Sequence, residues 1–296
     1  MKEPEIYHFT KGEGVRIPSP GRCIYCGDNQ QKLRDEHVFP YSLAGHSMIL
    51  EKCCCETCQN IIQKYEQEVL KKQLGLLRAR VEAPTRRPKD RASHAEMHFI
   101  EVNESGRFLR DLGTRKIPIN EAPVVFSLWR SPMPRRLRFH PLTPQQEYGM
   151  PWSFVQHESG HSLCRTVAQE TGAKYIALRA GTVNRLHYLR SLAKTAHAFA
   201  VAKLGMDAFD PYLLDLILGR SDDVSEFVGD DPFPGPIIEI SEYDSIHIYL
   251  GETIDDGLRG LVTARIVLYP VLNTPPHLVV VGKAKVDIAK RFAGEI

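Results

Sequence analysis

Cys23-Ile24-Tyr25-Cys26-Gly27 and, with 28 residues between Cys26 and Cys55, Cys55-Glu56-Thr57-Cys58 are the stretches on which the fold turns. Two residues between thiolates let both sulfurs reach one tetrahedral ion, and Gly27 permits the tight turn that follows. Together Cys23, Cys26, Cys55 and Cys58 predict a closed structural Zn²⁺ site. Such a site supplies folding energy and keeps no open position for chemistry. Cys53 and Cys54 are extra, and Cys54 is an alternative to Cys55, with three residues between it and Cys58.

Between the knuckles runs Asp35-Glu36-His37-Val38-Phe39-Pro40. Adjacent side chains on a strand point to opposite faces, so Glu36 and His37 diverge unless the backbone bends. A bend ahead of Pro40 would let a carboxylate hold a metal while the neighbouring imidazole activates water. After Cys58 the spacing predicts a helix, with Ile62, Tyr65, Val69, Leu70, Leu74 and Leu77 at helical intervals. Lys64, Lys71, Lys72, Arg78 and Arg80 then remain for phosphates, joined by Arg86 and Arg87 in the segment behind.

The pattern Cys-x-x-Cys-Gly, then Asp-Glu-His-Val-x-Pro with Leu43-Ala44-Gly45, then Cys-x-x-Cys followed by an amide residue and a helix, resembles the HNH endonucleases. The closest likeness is to the subgroup whose ββα-metal fold is braced by four cysteines. It covers about residues 21–82, reaching through Arg91 if the basic segment is included. The resemblance implies that His37 is the general base and that Glu36 helps bind one Mg²⁺ or Mn²⁺ ion. It also implies that a residue opening the final helix completes that ion's ligands. Two departures stand out. The position after Cys58 is Gln59, where the family usually has His or Asn, so either Gln59 or Asn60 would ligate. The asparagine that would orient the base is absent from Met48 to Lys52.

Charge along the chain is uneven although the net is only +2. Lys71 to Arg91 carries eight basic residues against Glu82 and Asp90, and Arg107 to Arg138 is again basic. Asp207 to Asp256 carries fourteen acids against Arg220 alone. A basic front half suits a polyanionic partner such as nucleic acid, because phosphate contacts release counterions; DNA is the first expectation only through the resemblance to the nucleases. The acidic stretch suggests a rear half that covers the basic face and restrains it. No apolar run is long enough for a membrane span. Met1-Lys2-Glu3-Pro4-Glu5 lacks a signal-peptide core, so the expected compartment is cytoplasmic, where clustered cysteines hold metal rather than disulfides.

Three parts are expected: an arm over 1–20, the zinc and nuclease module with its basic linker over 21–91, and a mixed α+β domain over 96–296. In the last, helices are expected over Asn184–Leu204 and Pro211–Leu218. Strands are expected around Phe99–Val102, Pro123–Trp129, Ile246–Leu250, Thr263–Leu268 and Leu278–Val281. His187, Lys194 and His197 read as core-edge residues of the long helix, and His247 as the outward face of a strand. His157-Glu158-Ser159-Gly160-His161 matches the H-E-x-x-H zinc-protease signature, with Glu170 as a third ligand at short spacing. The fold expected is α+β, a ββα-metal module followed by a mixed domain. The function expected is metal-dependent phosphodiester hydrolysis. A non-cleaving zinc-stapled nucleic-acid binder is the alternative, and a zinc peptidase is the weaker one. Oligomeric state stays open, a homodimer included.

Overall fold

In a computed structural model, which describes residues 5–8, 14–44, 48–83, 85, 91–179, 181–236, 238–254 and 258–286, the cysteine-rich segment folds as strand, strand, helix. β1 (Glu5–His8) leaves for a distant sheet; β2 (Val15–Ile17), β3 (Leu33–His37) and β4 (Met48–Cys55) form a small sheet in the order β2-β4-β3. β3 and β4 are antiparallel, and α1 (Glu56–Glu68) follows β4 directly. Cys55 is the N-cap of α1, its sulfur accepting from the Cys58 N–H, so the second knuckle and the helix start are one structure. α1 buries Cys58, Ile62 and Tyr65, one face as the spacing requires.

The bend expected ahead of Pro40 does not bring Glu36 and His37 together; the irregularity is a bulge in β4. Arg34 pairs with Cys54 while Glu36 pairs with Leu50, so β4 spends extra residues opposite Asp35. Lys52 takes a left-handed φ of 42° there. The Asp35 carboxylate accepts from the Lys52 N–H at 3.0 Å and holds that bulge in place. Glu36 stays inward and buried, and His37 is half-buried on the other side.

Beyond α1 the helix widens to a π-turn over Val69–Gln73, and α2 (Gly75–Arg80) follows. The Gln73 side chain donates to the Ser127 carbonyl at 2.8 Å, tying the turn to β7 (Val125–Arg130). β5 (His94–Val102) and β6 (Phe108–Pro118) form a long hairpin. α3 (Pro144–Tyr148) opens with a complete capping box at Thr143. β8 (Met150–Val155) pairs with β7, and α4 (His157–Thr171) leads to β9 (Ile176–Leu178), which joins β5. Ala95, Met97, Phe99 and Val167 make a small core under α4.

α5 (Arg185–Leu204), capped by the Asn184 side chain on the His187 N–H, is the expected long helix. It is buried nearly all round, which marks a central helix rather than a surface one. One side meets α1; the other meets a sheet ordered β1-β12-β13-β14-β10, with β11 also on β14. These strands are β10 (Phe209–Pro211), β11 (Val228–Asp230), β12 (Asp244–Glu252), β13 (Leu261–Leu268) and β14 (His277–Ala284). The helix expected over Pro211–Leu218 shrinks to α6 (Leu214–Ile217), because Phe209–Pro211 is drawn into pairing with β14. That approach is close: a Cβ on Gly282 would meet the Asp210 carbonyl oxygen at 2.1 Å.

The mixed α+β class holds, but the division at residues 91–96 does not correspond to a break in packing. Cys23, Leu50 and Tyr65 lie in one continuous core with Phe126, Leu189, Phe199 and Val279. The physical reason is α5, whose all-round apolar surface needs cover on two sides and takes the cysteine-rich unit as one of them. No helix among the described residues is long and apolar enough to cross a membrane.

Candidate functional site

The first knuckle is built by backbone bonds. The Gly27 N–H donates to the Cys23 carbonyl at 2.9 Å, with Gly27 at a left-handed φ of 77°, and Ile24 N–H donates to the Cys53 carbonyl at 2.8 Å. That second bond sets the knuckle against β4. The sulfurs of Cys23, Cys26, Cys55 and Cys58 then lie within 4.8 Å of one another, and no other group of His, Cys, Asp or Glu among the described residues gathers this way. Cys26 and Cys55 sulfurs are 3.6 Å apart. The Cys55 N–H points at the Cys23 sulfur at 3.4 Å, a donor that favours thiolate. Soft sulfur ligands in a closed set of four suit a metal ion such as zinc.

Cys55, not Cys54, joins that set. Cys54 stands behind it, buried, with its thiol against Cys23 and Glu36, and these contacts with burial push it well above the ordinary thiol range. Hydrogen bonds from Cys54 and Cys58 hold Cys23 far below that range.

Glu36 does not face solvent. Its carboxylate lies 2.5 Å from the Lys194 ammonium on α5, and the same ammonium lies 3.1 Å from Glu66 on α1. Lys194 also donates to the carbonyls of His37 at 2.5 Å and Val38 at 3.5 Å. Burial alone would lower the Lys194 pKa; the two carboxylates outweigh it and raise it above the ordinary lysine value. Glu66 is raised by burial, against the pull of Lys194. The divalent ion that the family resemblance implies therefore does not fit at Glu36 in this arrangement, because the position is filled by a fixed cation. Lys194, read from sequence as a core-edge residue, is a buried ion-pair centre. Its signal was available: one lysine in the middle of the apolar run Ser191-Leu192-Ala193-Lys194-Thr195-Ala196.

The His37 ring, half-buried, lies 6.3 Å from the Tyr41 ring. Gln59 and Asn60 occupy the first turns of α1, half-buried and exposed respectively. Of the basic residues, Lys64, Lys71 and Lys72 are exposed, with Lys72 3.7 Å from Glu68. Arg78 is committed elsewhere: it donates to the Ser42 and Leu70 carbonyls at 3.0 and 2.8 Å, and burial lowers its pKa. Arg80 is half-buried; Gly45, Arg86 and Arg87 lie outside the described residues.

His157, Glu158 and His161 open α4 and are exposed, and no third His, Cys, Asp or Glu closes a metal group with the two histidines among the described residues. Glu170 is ion-paired to Arg115. Six acids of the acidic stretch are occupied by arginines: Asp207 pairs with Arg22, Asp223 and Glu226 with Arg135, Asp222 with Arg190, Asp230 with Arg130 and Asp231 with Arg265.

Among the described residues three histidines are buried: His277, which the sequence reading passed over, His247, which it placed outward, and His197, which it placed at the core edge. His247 is not on an outward face: it is 3 % exposed, with Nε2 2.8 Å from Asp244. Asp244 also meets His8 at 2.9 Å and so pins β1 to β12. His277 lies 3.1 Å from Asp230 and 2.7 Å from the Tyr188 hydroxyl, joining α5 to β14. His197 lies 2.9 Å from the Ile24 carbonyl through Nε2, and burial lowers its pKa to about 4. Against known proteins, no family model, no curated protein and no solved structure matches the chain.

Proposed function

We propose that the chain acts on nucleic acid, DNA first, through its zinc-braced strand–strand–helix unit, with His37 as general base for phosphodiester hydrolysis. One observation carries this reading. The cysteine cluster ties the first turn of α1 and the end of β4 to the knuckle preceding β3, the strand that ends on His37. In this reading His37 takes a proton from water, the water oxygen bonds to phosphorus, and the bond from phosphorus to the leaving oxygen breaks. Lys64, Lys71 and Lys72, exposed along one helical segment, hold phosphates without reading bases. No step is assigned to a divalent ion at Glu36.

The test is a cleavage panel on plasmid, single-stranded DNA and RNA with Mg²⁺ or Mn²⁺, run beside His37→Ala. Expected is cleavage by the wild type and a loss of at least about 100-fold in the variant, at unchanged zinc content. Retained cutting by His37→Ala removes His37 as the base. A second reading has its own support in the Lys194–Glu36 pair: a zinc-stapled module that binds nucleic acid without cutting it. Salt-sensitive DNA binding with no cleavage in any metal would favour it. For the zinc-peptidase reading the discriminator is stoichiometry: a single zinc lost with Cys23→Ser and unaffected by His161→Ala counts against it.

A further inference from the structure

Four oxygens surround the Lys194 nitrogen: Glu36 Oε1 and the His37 carbonyl at 2.5 Å, Glu66 Oε1 at 3.1 Å and the Val38 carbonyl at 3.5 Å. They come from two places: the consecutive residues Glu36, His37 and Val38 at the end of β3, and the last turn of α1. Two carboxylates and two backbone carbonyls are the donor set that hard cations such as Mg²⁺, Mn²⁺ and Ca²⁺ select. An ammonium demands the same chemistry with different geometry, since it offers three protons rather than a spherical charge.

The lysine is 1 % exposed and Glu36 6 %. Burying an ammonium is expensive, and close oxygen partners of opposite charge offset that cost. The arrangement is thus a built cation site whose cation is covalently part of α5. We propose that the Lys194 ammonium fills the place of a hard divalent cation in the cage of Glu36, Glu66 and the His37 and Val38 carbonyls, and so closes the Glu36 site to such an ion in the resting protein. The inference rests on the nuclease reading only in treating Glu36 as the acid of that site; the cage itself stands on the distances. It also relocates restraint by the rear half. The restraining group is the side chain of a central helix, whereas Asp207, Asp222, Asp223, Glu226, Asp230 and Asp231 of the acidic stretch are paired with arginines.

The experiment is Mn²⁺ titration of the zinc-loaded full chain, followed by electron paramagnetic resonance, on four proteins: wild type, Glu36→Gln, Lys194→Met and Glu36→Gln/Lys194→Met. Methionine keeps the length of lysine and removes the charge, leaving two carboxylates facing an empty centre. Expected is one additional Mn²⁺ captured by Lys194→Met, absent from the wild type and lost in the double variant. A Lys194→Met protein that is folded and zinc-loaded yet captures no Mn²⁺ overturns the proposal. So does a wild-type Mn²⁺ site that vanishes in Glu36→Gln, a comparison that decides the matter even if Lys194→Met does not fold. Cleavage of plasmid is read in parallel. Capture by Lys194→Met without cutting by any of the proteins sinks the nuclease reading and keeps the cage. Wild-type cutting with a Glu36-dependent Mn²⁺ site does the reverse.

Discussion

Two clusters of charge-bearing groups share helix α1 within the cysteine-rich unit, and they are made in opposite ways. The cysteine cluster is local: two knuckles, each of four residues, brought together by one hairpin. The Lys194 cluster is long-range, joining Glu36 and Glu66 to a helix more than a hundred residues later. The first needs an ion from outside to close. The second carries its own. What the difference teaches is that the cysteine-rich unit depends on the rest of the chain, since the charge of the acid next to its candidate base is balanced by Lys194 of α5.

The largest effect tests the first cluster. Zinc removal by a strong chelator, or Cys58→Ser, should cost on the order of 10 kcal/mol of the binding energy that holds such sites folded. Melting followed by circular dichroism should then show early loss of the β3–β4–α1 unit. Because α5 shares its core with that unit, the central sheet should loosen in the same transition. Two well-separated transitions, with the sheet unaffected, would restore the picture of independent domains.

Removing the internal cation comes next. Lys194→Ala leaves two buried carboxylates facing each other, and breaking a buried pair from one side typically costs about 3–5 kcal/mol. Replacing all three members together, Glu36→Gln/Glu66→Gln/Lys194→Met, should recover most of that loss, since no unpaired charge remains. Denaturant midpoints at constant m-value give the comparison. If the triple variant is no more stable than Lys194→Ala, the loss belongs to packing around α5 and not to charge.

These two clusters also mark how far the sequence could be read. Cys23, Cys26, Cys55 and Cys58 were legible because the chemistry lies in short spacings, and the hydrophobic period of Asn184–Leu204 was enough for the helix. Lys194 carried a signal, a charge in an apolar stripe, but its partners are set by tertiary packing. His247 was misread because alternation with Ile246 and Ile248 assumes one wet face, whereas β12 has neighbours on both edges and cover on both faces. The widening of the helix at Val69–Gln73 and the bulge at Lys52 have no composition cue, since both are answers to contacts made elsewhere.

His197 sharpens the contact between α5 and the first knuckle through pH. Its folded-state pKa is lowered by burial to about 4, against an ordinary 6.5. Between those values the unfolded chain takes a proton that the folded one refuses, so this contribution is complete above pH 6.5 and falls away as pH drops toward 4. The difference amounts to about 3 kcal/mol across the window. His197→Gln keeps a donor for the Ile24 carbonyl and cannot titrate, so its stability should depend less steeply on pH in that range. Equal slopes for the two proteins, measured with zinc in excess, would mean that His197 is not held neutral by its surroundings.

The smallest effect belongs to the other ion pair that spans the same two regions. Arg22, just ahead of the first knuckle, meets Asp207, just past the end of α5, at 2.7 Å. The geometry is as close as that of Lys194 and Glu36, yet the side chains are 44 % and 92 % exposed. Water and salt screen such a pair, and holding two long side chains still offsets much of what remains, so Arg22→Ala should change stability by less than about 1 kcal/mol. Raising the salt concentration should erase even that difference, while leaving the Lys194→Ala loss almost intact because a buried pair is little screened. A large, salt-resistant loss in Arg22→Ala would show that the knuckle is anchored to α5 from its rim, and the central place given to Lys194 would have to be shared with it.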